Sequence, residues 1–92
     1  MTETAGDMRS LVEQIAQALV DAPEEVKVTA VEDGEVTVLE LHVAENDRGK
    51  VIGKQGRTAR SMRTILGAVS MKHHHRYTLD ILEEDKHATP GE

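Results

Sequence analysis

Two glycines three positions apart, Gly53 and Gly56, enclose Lys54 and Gln55, and Arg57 follows directly. That grouping suits the holding of an anionic backbone. Where no Cβ intervenes, a phosphodiester chain comes close to the protein main chain, and glycine tolerates the positive φ angles that aim successive N–H groups at one point. A helix starting after Gly56 adds its unpaired N–H groups and the positive end of its dipole. Lys50, Lys54, Arg57 and Arg60 surround the loop with mobile positive charge. Other glycine-loop chemistries fail on spacing. For a P-loop, Gly49 and Gly53 lie one residue too close and Lys54 is followed by Gln55 instead of Ser or Thr. The dinucleotide fingerprint G-x-G-x-x-G does not match Gly49-x-x-x-Gly53-x-x-Gly56.

The remaining reactive side chains read as surface. His73, His74 and His75 are consecutive at the expected entrance to a strand, where neighbours point to opposite sides, so three rings do not converge on one ion. They read instead as a pH-dependent addition to the basic surface, gaining charge below about pH 6.5. Glu40, Asp80, Glu83, Glu84 and Asp85 have no catalytic partner fixed beside them, and Ser10, Ser61 and Ser70 lack an indicated base. No enzyme activity, metal, cofactor or small-molecule substrate is expected.

The net charge of −6 at first argues against a polyanionic ligand, but its distribution does not. From Arg48 to Arg76 there are eight basic residues and no acidic one, while all 17 carboxylates lie outside with three basic residues. Cysteine is absent, which removes disulfides and thiol chemistry and suits a reducing compartment. No apolar run approaches the roughly 20 residues of a membrane span, and the polar, acidic first residues are unlike a signal peptide, so a soluble cytoplasmic protein is expected.

The 92 residues suffice for one domain. Residues 1–7 and 83–92 are expected to be flexible ends, leaving a domain over residues 8–82. Met8, Leu11, Val12, Ile15, Ala18 and Leu19 form a helical stripe over residues 8–20, with Asp7 as a candidate cap. Alternating runs at 26–32 and 35–43 are joined by Asp33-Gly34, a pair that favours a two-residue type I′ hairpin. The expected register sets Glu32 opposite Glu35, Val28 opposite Leu39 and Lys27 opposite Glu40. One face then collects Val26, Val28, Ala30, Leu39, Leu41 and Val43. Val31, Val36 and Val38 fall on the other face, where polar side chains are the norm, and are candidates for an oligomer or partner interface.

A short helical turn is expected over 48–52 and a helix over 57–69, with Ala59, Met62, Ile65, Leu66 and Val69 on one side and Arg57, Arg60 and Arg63 on the other. Tyr77, Leu79 and Ile81 alternate in a last strand. The helical crossover favours parallel pairing of the second and third strands. The predicted class is α+β, in the order α-β-β-α-α-β, with a three-stranded mixed sheet and all helices on one face.

Val51-Ile52-Gly53-Lys54-Gln55-Gly56-Arg57 resembles the central signature of KH domains, and the element order resembles their type II arrangement. The length, the early amphipathic helix and GKVIGKQGRTARSMRTIL resemble, more narrowly, the small single-KH proteins of the KhpA/YlqC family of bacterial RNA-binding proteins. The resemblance implies that Gly53, Lys54, Gln55 and Gly56 clamp the backbone of single-stranded RNA, with Val51, Ile52 and Val43 as groove residues beneath the bases. It also implies an RNA chaperone or post-transcriptional regulator, pairing with itself or with a larger KH protein of the KhpB/Jag type. Ala59 departs from the large aliphatic residue many KH domains carry there, which implies a shallower groove. The alternative is a protein-interaction adaptor on a KH scaffold that does not bind RNA.

Overall fold

The computed structural model describes residues 4–82. The elements run α1 (Thr4–Leu19), β1 (Lys27–Asp33), β2 (Val36–His42), α2 (Arg48–Ile52), α3 (Arg57–His73) and β3 (Arg76–Ile81). Single 3-10 turns at Pro23–Glu25, Glu45–Asp47 and Lys54–Gly56 connect them. The sheet has the order β1-β2-β3, with β1 antiparallel and β3 parallel to β2. This is the α+β, type II KH-like architecture. Among the described residues no helix is long and apolar enough to cross a membrane.

The core lies between the helices and one sheet face. Val12 and Ala16 of α1, Val28, Leu39 and Leu41 of the hairpin, Val51 of α2, Met62 and Leu66 of α3, and Tyr77 and Leu79 of β3 are all buried there. Thr37 joins that face with no exposed surface, and its hydroxyl is satisfied at 2.7 Å by Nε2 of His75.

Several details differ from the sequence reading. The first helix starts at Thr4, inside the stretch expected to be loose, because Ala5 extends the apolar stripe and packs on the core. Asp7 is therefore a first-turn residue and not a cap. Ala16 replaces Ala18 in the buried stripe, and Leu19 is exposed. The expected tail at 83–92 lies outside the described residues.

The hairpin is slipped by two residues from the expected register. Asp33 faces Val36, Ala30 faces Leu39 and Val28 faces Leu41, so the turn is Gly34-Glu35. Gly34 has φ +66 and Glu35 keeps an ordinary negative φ, which fits a glycine-first type II′ turn and not type I′. A two-residue slip preserves which face each side chain takes, so the core assignments stand. The cross-strand pairs do not: Lys27 faces His42, and Glu40 faces Thr29.

The third helix continues four residues beyond its expected end, to His73, and Ile65 on its expected packing side is largely exposed. His74 closes it in the left-handed region at φ 56, and the His75 N–H donates to the Ser70 carbonyl at 3.2 Å, the long bond of a Schellman closure. The histidines thus sit in three settings: helix end, left-handed cap, and connection to β3. Among the described residues no group of three or more His, Cys, Asp or Glu is arranged to hold a metal ion.

Candidate nucleic-acid interface

Residues 53–56 connect α2 to α3 as a raised turn. Gly53 has φ 82 and ψ 168, Gln55 φ 57 and ψ 25, and Gly56 φ 75 and ψ 13. Three positive-φ residues in four is an unusual backbone, and Gln55 has no glycine exemption from its cost, of order 1–2 kcal/mol. The Gly56 N–H donates to the Gly53 carbonyl at 3.0 Å, tightening the turn. Gly53 is required on a second ground: a Cβ there would lie 2.8 Å from the Thr58 backbone nitrogen and closer still to its hydroxyl. A Cβ on Gly56 would meet nothing.

Lys54, Gln55 and Arg57 are exposed, and an Arg57 Nη donates to Gln55 Oε1 at 3.2 Å, bridging the loop to the first turn of α3. Gly56 occupies the N-cap of α3, and no side chain caps that end. The Arg57 N–H donates to the Lys54 carbonyl within the 3-10 turn. Arg60 is exposed one turn further on.

The expected groove residues separate. Val43 and Val51 are buried in the core, whereas Ile52 remains 38% exposed beside the loop. Val51 turns inward on a five-residue helix, and Ile52, about 100° further round, falls on the exposed flank. Lys50 is also drawn away from the loop, its ammonium 3.4 Å from Asp21 and 3.5 Å from Asp47.

A concavity of about 470 Å³ lies between α3 and β3, lined in part by Arg63, Gly67, Met71, Arg76, Thr78 and Leu79. Met71 is largely exposed, and between it and Arg63 on the helix side Gly67 contributes no side chain. An Arg63 Nη donates to the Leu79 carbonyl at 3.3 Å, pinning helix to strand. Ser70 Oγ accepts the Tyr77 N–H and donates to the Leu66 carbonyl, each at 2.8 Å. The cleft lies against the part of α3 from Arg63 to Met71, so the four-residue turn and the cleft share one helix.

The resemblance implies a groove between the helices and the sheet edge, but its expected residues, Val43, Val51 and Ile52, are not those that line this cleft. Arg63 is legible as part of the basic face of α3 and Arg76 as part of the basic stretch, and their sharing of one cleft depends on β3 turning back along α3. The one local signal was the small, neutral Gly67 on an otherwise basic helix surface.

A family model described as the KH domain of KhpA/KhpB matches residues 9–81. The chain belongs to the KhpA/KhpB family of KH domains. A curated KH relative, RNA-binding protein KhpA of Halalkalibacterium halodurans, is 49% identical over 76 residues, covering 83% of this chain and 100% of the relative. The KhpA of Clostridium acetobutylicum is 47% identical over 75 residues, 82% of this chain and all of the relative. That of Borreliella burgdorferi is 45% identical over 78 residues, 85% and 95% of the two chains. Among solved structures, an Aquifex aeolicus Era variant bound to GDP.AlF4- superposes with TM-score 0.54 at 19% identity. That match covers 80% of this chain and 29% of Era, a likeness of KH fold alone.

Proposed function

We propose that this chain binds single-stranded RNA, with residues 53–56 clamping the backbone and the α3/β3 groove accommodating bases, and that it acts as an RNA chaperone or post-transcriptional regulator without catalysis. The observation that carries the reading is the loop backbone. Positive φ at Gly53, Gln55 and Gly56 raises Lys54 and Gln55 beside the uncapped N-terminus of α3, a site of positive potential open to solvent. The relatives, all named RNA-binding protein KhpA, support it. Within the reading, phosphates meet Gly53, Lys54, Gln55, Gly56 and Arg57, with Arg60 adding charge and Ile52 an apolar contact. Val43 and Val51 support the loop from the core, and Lys50 takes part only if released from its carboxylates.

The test is Lys54→Asp with Gln55→Asp, two exposed positions without core contacts. Circular dichroism and the melting temperature are expected to match the parent, while RNA titration shows binding lost. A double variant that melts with the parent and binds RNA equally well would move the function off this loop and favour the adaptor reading.

Val31, Val36 and Val38 support a second surface. They occupy the sheet face away from the core, Val31 at 40% exposure and opposite Val38 in the ladder. We place self-association, or docking of a larger KhpB/Jag-type KH protein, on that face.

A further inference from the structure

Asp47 is 2% exposed. It stands at the N-cap position of α2, where an Asp side chain ordinarily accepts N–H bonds from its own helix, yet it makes no such cap. Its carboxylate reaches across to the end of α1 instead. Oδ1 accepts the Asp21 N–H at 3.2 Å, Oδ2 accepts the Ala22 N–H at 3.0 Å, and the Lys50 ammonium lies 3.5 Å from Oδ1. Both oxygens are committed, and the two segments they join are 25 and 26 residues apart in the chain.

The span from this anchor to the clamp is short. Asp47 is followed by the five residues of α2, whose Gly49 carbonyl accepts the Gly53 N–H at 2.8 Å. A five-residue helix is too short to hold its own geometry in water, so its orientation is set by its ties. Val51 supplies an apolar tie, which resists withdrawal but permits rocking because apolar contact is non-directional. Asp47 supplies a directional tie to two backbone N–H groups, beside the Lys50–Asp21 ion pair at 3.4 Å. A buried carboxylate is tolerated only where several donors meet it, so the anchor has one arrangement.

We propose that Asp47 is a positioning residue of the clamp, fixing α2 against the α1 terminus so that Gly53 starts the loop at the angle that phosphate binding requires. The proposal rests on the RNA-binding reading for its function and on the hydrogen bonds for its mechanics. Asn in its place keeps one acceptor oxygen, enough for the Asp21 N–H and the Lys50 ammonium, but turns an NH2 toward the Ala22 N–H, so one of the two backbone ties is lost while the side-chain volume is kept.

The experiment compares the full chain, Asp47→Asn, Lys54→Asp/Gln55→Asp, and the triple variant. It uses amide hydrogen exchange and titration of a fluorescent pool of randomised 12-nucleotide single-stranded RNA. Asp47→Asn is expected to retain parent protection at Leu39 and Leu41, to exchange the amides of residues 49–56 about tenfold faster, and to bind RNA about fivefold more weakly. It adds nothing to the Lys54→Asp/Gln55→Asp background if it acts through the clamp. Unchanged exchange at 49–56 in a folded variant overturns the proposal, as does a binding loss that persists in full in that background. If the parent itself binds no RNA, the RNA-binding reading falls and the exchange measurement alone decides the anchor. Should Asp47→Asn fail to fold, Lys50→Gln removes one of the three partners at an exposed position. Faster exchange confined to 49–56 then supports the anchor, and parent-like exchange overturns it.

Discussion

At the scale of single residues, the two loop glycines, Gly53 and Gly56, are not equivalent. Gly56→Ala meets open space and bears mainly the cost of a left-handed Cβ, about 1–2 kcal/mol. Gly53, at φ 82 and ψ 168, lies in a region essentially reserved for glycine, so Gly53→Ala meets a larger backbone cost and also drives a Cβ into the Thr58 backbone, which cannot rotate aside. Overpacking of that kind adds about 1–3 kcal/mol. Urea denaturation should therefore rank Gly53→Ala below Gly56→Ala, with parent on top; the reverse order would mean that the loop is held differently. Asp47 sets a second expectation. Burial alone would raise its pKa, but the Asp21 and Ala22 N–H groups and the Lys50 ammonium outweigh that and hold it below the usual aspartate range. A depressed folded-state pKa gives stability that is complete above the unfolded value, about 3.9, and is lost as pH falls through the lower folded value. The stability difference between parent and Asp47→Asn should stay constant from pH 5 to 8 and shrink only in stronger acid. A difference that changes near neutrality would assign it to another group. The loop itself was readable in the sequence because all its residues are contiguous. The Asp47 anchor was not, because its partners are hydrogen-bonding backbone groups on a distant segment.

At the scale of elements, the sequence identified each α-helix and strand and, apart from Ala18, Leu19 and Ile65, the face each presents, but not the hairpin register. The reason lies in the period. Alternation repeats every two residues, so a slip of two leaves every apolar side chain on the same face, and only the turn distinguishes the alternatives. Gly34 takes the first turn position instead of the second, and pairing shifts accordingly. The lining of the groove was hidden for a related reason: α3 and β3 are adjacent in sequence, yet which of their residues meet depends on the Schellman closure at His74 and His75. The uncovered sheet face follows from the same alternation. Val36 is flanked in the ladder by Arg76, and Val38 by Thr78. Replacing Val36 and Val38 with Lys is expected to leave the melting temperature nearly unchanged, since neither belongs to the core cluster. Sedimentation should shift toward the monomer, or capture of a KhpB/Jag-type partner should fail. Unchanged mass together with unchanged capture would remove this face from consideration.

At the scale of the whole molecule, the proposed function requires an acidic protein with one acid-free basic stretch to meet RNA locally. Contact with about two to four phosphates gives a log-log salt slope of roughly −1.5 to −3, at about −0.7 for each phosphate on a single strand. Fluorescence titrations from 50 to 200 mM salt would check it. A slope near zero, or tight salt-insensitive binding of duplex DNA, would contradict a clamp of this size. The order of strands has a further consequence, in time as well as in space. The hairpin closes through two turn residues, but the parallel ladder joins Val36 to Arg76, about 40 positions on, at an added chain-entropy cost of about 2 kcal/mol. The clamp lies within that long connection, and the helix that follows it packs against the strand that completes the ladder. During synthesis, residues 53–56 leave the ribosome well before β3 does. The chain then carries the whole loop sequence without the strand that seats α3, so under the proposed function competence to hold RNA is expected only once the final strand docks.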